Sequence, residues 1–414
     1  MQKTSRNDLI TLLTEAAAVE HSLMCQYLFA AFSLKQRTDE GLTEDQLTDV
    51  VGWERLILSV ARQEMEHLGL VINLLTAVGG APRLAHPEFP YATHLFGGEM
   101  ALVPFSVATV KKFVCFERPV TIDPKDAYCE PAPAPSGDDY TTVGELYERI
   151  EQALIDADQG PEPLFIGPPG AQVGGGVLGT DFPRVGAMGG GYDVYMSAVT
   201  DLATARQAID RIIEQGEGNP GDHEYSHYHR FVQIVEELER VGDAFTPARN
   251  VVPNPALPGN AQPESTIITH PVTTQVMGLF DAAYSTMLLV LTRLFAHTDE
   301  TEPDLAVLRS VGFFPLMTMA VRPLAELLTE MPAFSDAPES KAGASFNTSG
   351  RITFLPHREA AWTVLEEELR GLAQRADAVR HVPGAPARLE YIAHSFDLIS
   401  RRFAAGMGIA PTPC

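Results

Sequence analysis

Twice in this chain a glutamate stands three residues ahead of a histidine inside an apolar helical pattern: Glu64 and His67 in "ARQEMEHLGLVINLLTAVGG", Glu224 and His227 in "GDHEYSHYHRFVQIVEELERV". A spacing of three puts both side chains on one helix face within a single turn. Val60, Leu68, Val71 and Leu75 assign Glu64 and His67 to a buried face, and Phe231, Val235 and Leu238 do the same for the second pair. An ionised carboxylate on such a face is costly unless it is paired or holds a metal ion. Glu20 falls inside a third apolar stripe, Leu9, Leu12, Leu13, Ala16, Leu23, Met24, Tyr27 and Ala31. Two such pairs and a further buried Glu make most of the pattern by which four-helix bundles bind two metal ions, and carboxylate with imidazole suits iron or manganese.

The fourth ligand supplier stays open among Glu145, Glu148, Glu214, Glu217 and Glu224. The stripe Val143, Leu146, Tyr147, Ile150 and Leu154 points away from Glu145, with Glu148 little better placed, whereas Glu217 flanks its own apolar stripe a short turn before Glu224. Antiparallel pairing of the helices at 141 and 197 would bring Glu145 beside Glu217. Taken singly, each residue has a plainer reading: a buried Glu satisfied by Arg or Tyr, a core histidine, a solvated Glu near a helix end. His223 and His229 are expected at solvent or behind the ligands, His21 off the stripe, and Tyr27 in the core with its hydroxyl lining a cavity.

The remaining pattern is helical. Helices are expected over 5–36, 48–78 (closed by Gly79, Gly80 and Pro82), 101–117 (stopped by Pro119), from Thr141 or Thr142 onward, 197–216 and 223–241. Further helices follow at about 270–297, 303–331, 357–379 and 385–405. No β pattern of weight interrupts them, so the expected class is all-α. We expect a bundle over 1–245 with a Gly-rich insertion at 159–192 that serves as lid or pocket wall, a linker at 246–268, and a C-terminal helical region, 269–414, packing on the bundle.

Composition narrows the partners. Acidic residues outnumber basic ones by 54 to 30, a formal charge of -24, which disfavours nucleic acid and anionic lipid. The apolar runs, even "MLLVLTRLFA" with Thr292 and Arg293, fall short of the roughly 20 residues of a membrane span, so a soluble chain is expected. Cys25, Cys115, Cys129 and Cys414 show no zinc-type or CxxC spacing, and the N-terminus lacks a secretory apolar core, which together favour a reducing cytoplasm.

At these residues the sequence resembles the ferritin-like family that includes the iminophenylpyruvate dimer synthase of violacein biosynthesis. The matching stretches include "AVEHSLMCQYLFAAFSLK", "ARQEMEHLGLVINLLTAVGGAPRL", "HPEFPYATHLFGGEMALVPFS", "TVGELYERI", "AIDRIIEQGEG" and "SHYHRF", and similarity runs on through "YSTMLLVLTRLF", "PLMTMAVRPLAELL" and "AGASFN". The resemblance implies a ferritin-like bundle with a non-haem dimetal centre held by Glu20, Glu64, His67, Glu145, Glu217 and His227. For Glu145 it conflicts with the periodicity.

The function expected from all this is a dimetal, di-iron or manganese, oxidoreductase that uses O₂ or peroxide to oxidise or couple a small organic molecule, with an amino-acid-derived imine as the resemblance-based substrate. Homo-oligomers are compatible with it. The extra chain beyond a ferritin bundle argues for substrate chemistry over the alternative, metal storage or peroxide detoxification. A third reading is a metal-free scaffold with buried hydrogen-bond networks.

Overall fold

The computed structural model describes residues 5–93, 98–129, 140–174, 196–218, 225–348 and 356–408. The chain divides into two compact units, one of Met1–Gly175 with Gly179–Arg249, the other of Asn250–Cys414 with Gly176–Leu178.

The first unit is built on two long helices, α1 (Arg6–Ser33) and α2 (Glu44–Ala77), packed along each other. Ser5 and Asp8 close a capping box at the start of α1, and Thr43 with Gln46 does so for α2. Gly79, at φ 87°, provides the left-handed turn that releases the chain after α2. From Val19 to Ser33 every residue of α1 except Leu28 is buried, so this half is enclosed all round rather than striped. Its surroundings explain the difference: α2 and α4 flank it, and the connection after α2 folds back over it. His21, expected off the apolar stripe, is therefore fully buried.

A two-residue antiparallel pair, β1 (Tyr91–Ala92) with β2 (Glu99–Met100), precedes α3 (Val107–Phe116), which starts later than expected because Ser106 caps it behind Pro104. Then come α4 (Val143–Asp158, capped by Thr142), α5 (Leu202–Gly216, capped by Asp201) and α6 (His227–Val241, capped by Ser226). α3 packs along α6, α4 joins α1 and α5, and α2 touches α5 and α6. A disulfide joins Cys115, in the last turn of α3, to Cys129. A reading based on cysteine spacing did not foresee it, since 14 residues is no motif and the 3₁₀ turn Pro124–Ala127 brings the two together.

The second unit carries a two-residue parallel pair, β3 (Pro255–Ala256) with β4 (Thr266–Ile267), and helices α7 (Pro271–Phe295), α8 (Glu302–Leu328), α9 (Arg358–Arg380) and α10 (Arg388–Gly406). α8 is wound in part as π-helix, over Leu308–Phe313 and Met317–Val321. Contrary to expectation, α7 and α8 are long and apolar enough to cross a membrane by length and composition. Thr292 and Arg293 interrupt the run in sequence without lowering its average enough. α7 behaves as a core helix of its unit: most of it is buried, and Arg293 is neutralised by Glu300 at 2.5 Å, which also accepts the Trp362 indole N–H.

Candidate metal centre

Four helices bring buried carboxylates and imidazoles to one place. Glu20 projects from α1, Glu64 and His67 from α2, Glu117 from the C-terminal cap of α3 and His227 from the first turn of α6; all are at most 4% exposed. Glu64 is central. Its Oε2 lies 3.4 Å from His67 Nδ1 and its Oε1 2.8 Å from His227 Nδ1. His67 Nδ1 is also 3.4 Å from Glu20 Oε2, and His227 Nδ1 is 3.5 Å from Glu117 Oε2. The two imidazoles stack with centroids 5.3 Å apart.

Groups behind these side chains aim them. Tyr147 of α4 donates its hydroxyl to Glu20 Oε1, and Tyr27 of α1 donates to Glu117 Oε1. Tyr27 is itself wedged against Phe113 and Phe231, 4.7 and 5.0 Å away between centroids. His67 Nε2 lies 2.8 Å from Gln215 Oε1, an acceptor, so Nε2 carries a proton and Nδ1 is the nitrogen turned to the carboxylates. Gln215 in turn donates to Glu66, which pairs with Arg211. Leu23, Phe116, Val143, Ile212 and Ile213 line the small cavity, whose space suits an ion or a water rather than an organic molecule.

Burial drives the electrostatics. Desolvation, reinforced by repulsion from Glu64, pushes Glu20 up to about 8. Burial would also raise Glu64, but His227 and His67 together outweigh it and hold its carboxyl well below the usual range. Burial would lower both histidines; Glu64 and Glu20 instead raise His67 well above its ordinary value, and Glu64 with Glu117 raise His227 despite its place at a helix N-terminus. Burial and the adjacent carboxylates raise both tyrosines far above 10, so they remain phenols and donors.

These residues fit a cation. Glu20 Oε2, Glu64 Oε1 and both ring nitrogens of His227 are buried without a hydrogen-bond partner. Glu64 Oε1 and His227 Nδ1 are 2.8 Å apart, close enough to hold a proton or a cation between them. One donor atom each from Glu64, His67 and His227 lie within 4.8 Å of one another.

Of the residues singled out in sequence, the structure thus gathers Glu20, Glu64, His67 and His227. Glu217, the C-cap of α5, also lines the cavity; its Oε2 accepts from Val120 N at 3.3 Å, and burial raises it to about 7. Glu145 does not join them. Its Oε2 accepts from Thr141 N at 2.6 Å and Thr141 Oγ1 at 2.8 Å, satisfying the start of its own helix, so the periodicity describes it better than the resemblance does. α4 and α5 do run antiparallel, with Glu151 against Arg206 and Gly144 against Glu217. The residue beside Glu217 is Gly144, where an added Cβ would stand 1.9 Å from Glu217 Oε1. Glu148 and Glu214 are exposed, as is His229. Glu224 and His223 lie outside the described residues; helix α6 begins at His227, three residues later than Glu224. Most of the Gly-rich segment, 175–192, is outside them too.

Sequence reasoning missed Glu117 and Tyr147. A signal for Glu117 existed: it continues the stripe Val110, Phe113 and Val114 at the positions seven, four and three residues on. Tyr147 belongs to the apolar stripe of α4 and is a core residue, and its hydroxyl reaches Glu20.

Comparison with known proteins follows the same lines. The ferritin-like family profile matches residues 13–236. Dichlorochromopyrrolate synthase of Lentzea aerocolonigenes is 30% identical over 95% of this chain and 41% of its own length. The 2-imino-3-(indol-3-yl)propanoate dimerase of Chromobacterium violaceum is 29% identical over 80% of this chain and 33% of its own. The chain therefore spans well under half the length of these curated relatives. Among solved structures, a ferritin-like protein from Caulobacter vibrioides covers 74% of this chain, and 92% of its own, at 20% identity and a TM-score of 0.47.

Proposed function

The chain belongs to the ferritin-like family, and from that premise we propose that it is a non-haem dimetal enzyme, with iron as the metal, that oxidatively couples a small amino-acid-derived imine. The observation that carries the metal reading is Glu64, buried and set between His67 and His227 with ligand atoms left unsatisfied. Glu20, Glu64, Glu117, His67 and His227 would hold the metals, and Glu217 stands near enough to contribute. Iron there would supply one-electron redox chemistry with O₂ or peroxide as oxidant. The names of the two curated relatives, a synthase and an imine dimerase, support the substrate class.

The chain's own part is positioning and dryness. Tyr147 and Tyr27 fix one oxygen of Glu20 and one of Glu117, leaving the other oxygens to face inward. The Gln215, Glu66 and Arg211 relay holds the His67 ring and its tautomer. Glu20, near 8, keeps a proton at neutral pH until a cation displaces it. Joining two imines through one new C–C bond removes a C–H bond from each, so two protons and two electrons leave for the oxidant.

The test is metal quantification after anaerobic loading with Fe(II), followed by exposure to 2-imino-3-(indol-3-yl)propanoate, generated in place by an amino-acid oxidase, and oxidant. Two irons per chain and a mass-spectrometric dimer product support the proposal; no bound iron ends it. The narrow cavity favours one second reading, storage or peroxide removal, since among the described residues it accommodates only ion-sized or water-sized occupants. That reading predicts iron uptake beyond two per chain, peroxide consumption and no organic product.

A further inference from the structure

α1 carries a second cluster of metal-binding side chains on a face turned away from Glu20. His21 and Cys25, one helical turn apart, share that face. His86 reaches them from the connection after α2, and all three are buried, at 0%, 0% and 6% exposure. One donor atom from each lies within 4.8 Å of the other two. Cys25 is a thiol, while Cys115 and Cys129 are bonded to each other.

Both imidazoles are oriented by the backbone. His21 Nδ1 lies 2.8 Å from Leu84 O and His86 Nδ1 lies 2.7 Å from Pro87 O. A carbonyl can only accept, so both Nδ1 atoms carry the proton and Nε2 is the unprotonated nitrogen of each ring. This is the outer-sphere arrangement of ligating histidines, whose second nitrogen donates to a carbonyl or carboxylate. The rings meet edge to face with centroids 4.6 Å apart. The connection is pinned independently of the cluster, through Tyr91 Oη to Ser22 Oγ at 2.7 Å and Ala101 N to Gln26 Oε1 at 3.2 Å.

We propose that His21, Cys25 and His86 form a mononuclear site for a thiophilic d¹⁰ cation, Zn(II) or Cu(I), separate from the carboxylate-rich centre. The donor set selects it: one thiolate and two neutral imidazoles suit zinc and Cu(I), whereas the Glu64 centre offers hard oxygens for iron or manganese. Zinc–nitrogen and zinc–sulfur bonds of 2.0–2.3 Å bring tetrahedral ligands to about 3.5 Å of one another, and the three donor atoms here already stand within 4.8 Å. As the ion binds, the Cys25 thiol loses its proton to solvent. The ion clamps the connection carrying His86 to α1, one residue from Glu20.

Co(II) is the probe, because thiolate bound to cobalt gives a near-ultraviolet charge-transfer band that carboxylate and imidazole ligands cannot. Full-length protein, reduced enough to keep Cys25 as thiol and handled without oxygen, is titrated with Co(II). The expected result is one equivalent of the sulfur band, bleached by Zn(II) or by Cu(I), the tighter competitor identifying the resident ion. Cys25→Ser, nearly isosteric, loses the band while Fe(II) loading of the other centre persists. His86→Asn weakens Co(II) binding by more than about tenfold, the cost even of an outer-sphere partner. Cys414→Ser keeps the band. No sulfur band in folded protein, or a band that survives Cys25→Ser, overturns the assignment.

Discussion

Replacing Glu20 by glutamine should remove metal and, in metal-free protein, raise stability by an amount that grows with pH. Glu20 is 1% exposed, and burial with Glu64 beside it lifts its pKa from 4.5 to about 8. A folded-state pKa above the unfolded one means that the folded chain binds the extra proton. The associated stability is full below pH 4.5 and is lost progressively as pH rises towards 8. The amide of the Glu20→Gln variant has no such dependence, and its oxygen still accepts from Tyr147, so the two proteins should be nearly equal at pH 5. One pKa unit is worth about 1.4 kcal/mol. The variant should therefore gain up to about 1.4 kcal/mol per pH unit, or about 3 kcal/mol between pH 5 and pH 7. The histidines titrate in both proteins and largely cancel in the difference. The assay is urea unfolding of chelator-treated protein in a Trp362→Phe background. Trp53, the remaining tryptophan, then reports the first unit, where it stacks between Phe105 and Phe245 and donates to Glu237. A difference that is flat with pH, or a wild type that gains on the variant as pH rises, would refute this account of Glu20.

The same protons govern loading. Because Glu20 near 8 and the raised histidines must shed protons to accept a cation, Fe(II) or Co(II) affinity should tighten from pH 6 to pH 8, by about tenfold per unit for the Glu20 proton alone; indicator dye in weak buffer should register more than one proton released, and a pH-independent affinity contradicts it. Glu64→Ala should abolish stoichiometric metal binding while circular dichroism keeps its helical signal, since His67 and His227 can shed the protons that Glu64 holds on them; unchanged metal content would show that the centre lies elsewhere. Gly144→Ala should force Glu217 out of the cavity, because the new Cβ would overlap its Oε1; a crystal structure of the variant with Glu217 unmoved would contradict the close packing of α4 on α5.

What could be read from the sequence follows the mechanics of each element. Glu64 and His67 sit mid-helix in α2, where periodicity is unbroken for many turns, so their facing was legible without coordinates. Glu117 closes α3 just ahead of Pro119, and a residue at a helix end is easily discounted as solvated although it continues the stripe. Glu145 shows local chemistry prevailing over resemblance: a carboxylate in the first turn finds the free Thr141 N–H nearer than any distant cation. The burial of His21 was not legible, because the wall that covers it is an irregular connection with no period to read. The second unit shows the same limit, in that an average over α7 hides Arg293 behind its apolar neighbours while the structure neutralises it with Glu300.

The proposed centre would have two states, one held together by protons and one by cations. Without metal, Glu64 is the anion between two histidinium rings and Glu20 is neutral, so the cluster approaches charge balance through protons. On the proposed function, cations would take the place of those protons at the same inward-facing atoms. The outer hydrogen bonds, Tyr147 to Glu20, Tyr27 to Glu117 and His67 to Gln215, need not change in the exchange, because none of them uses an inward-facing lone pair. Four helices can therefore converge on carboxylates before any ion arrives, which a cluster of bare anions in a dry interior would forbid. A ligand shell assembled in advance costs little reorganisation when the cation enters, and the proton count, rather than a folding step, becomes the variable that sets metal affinity.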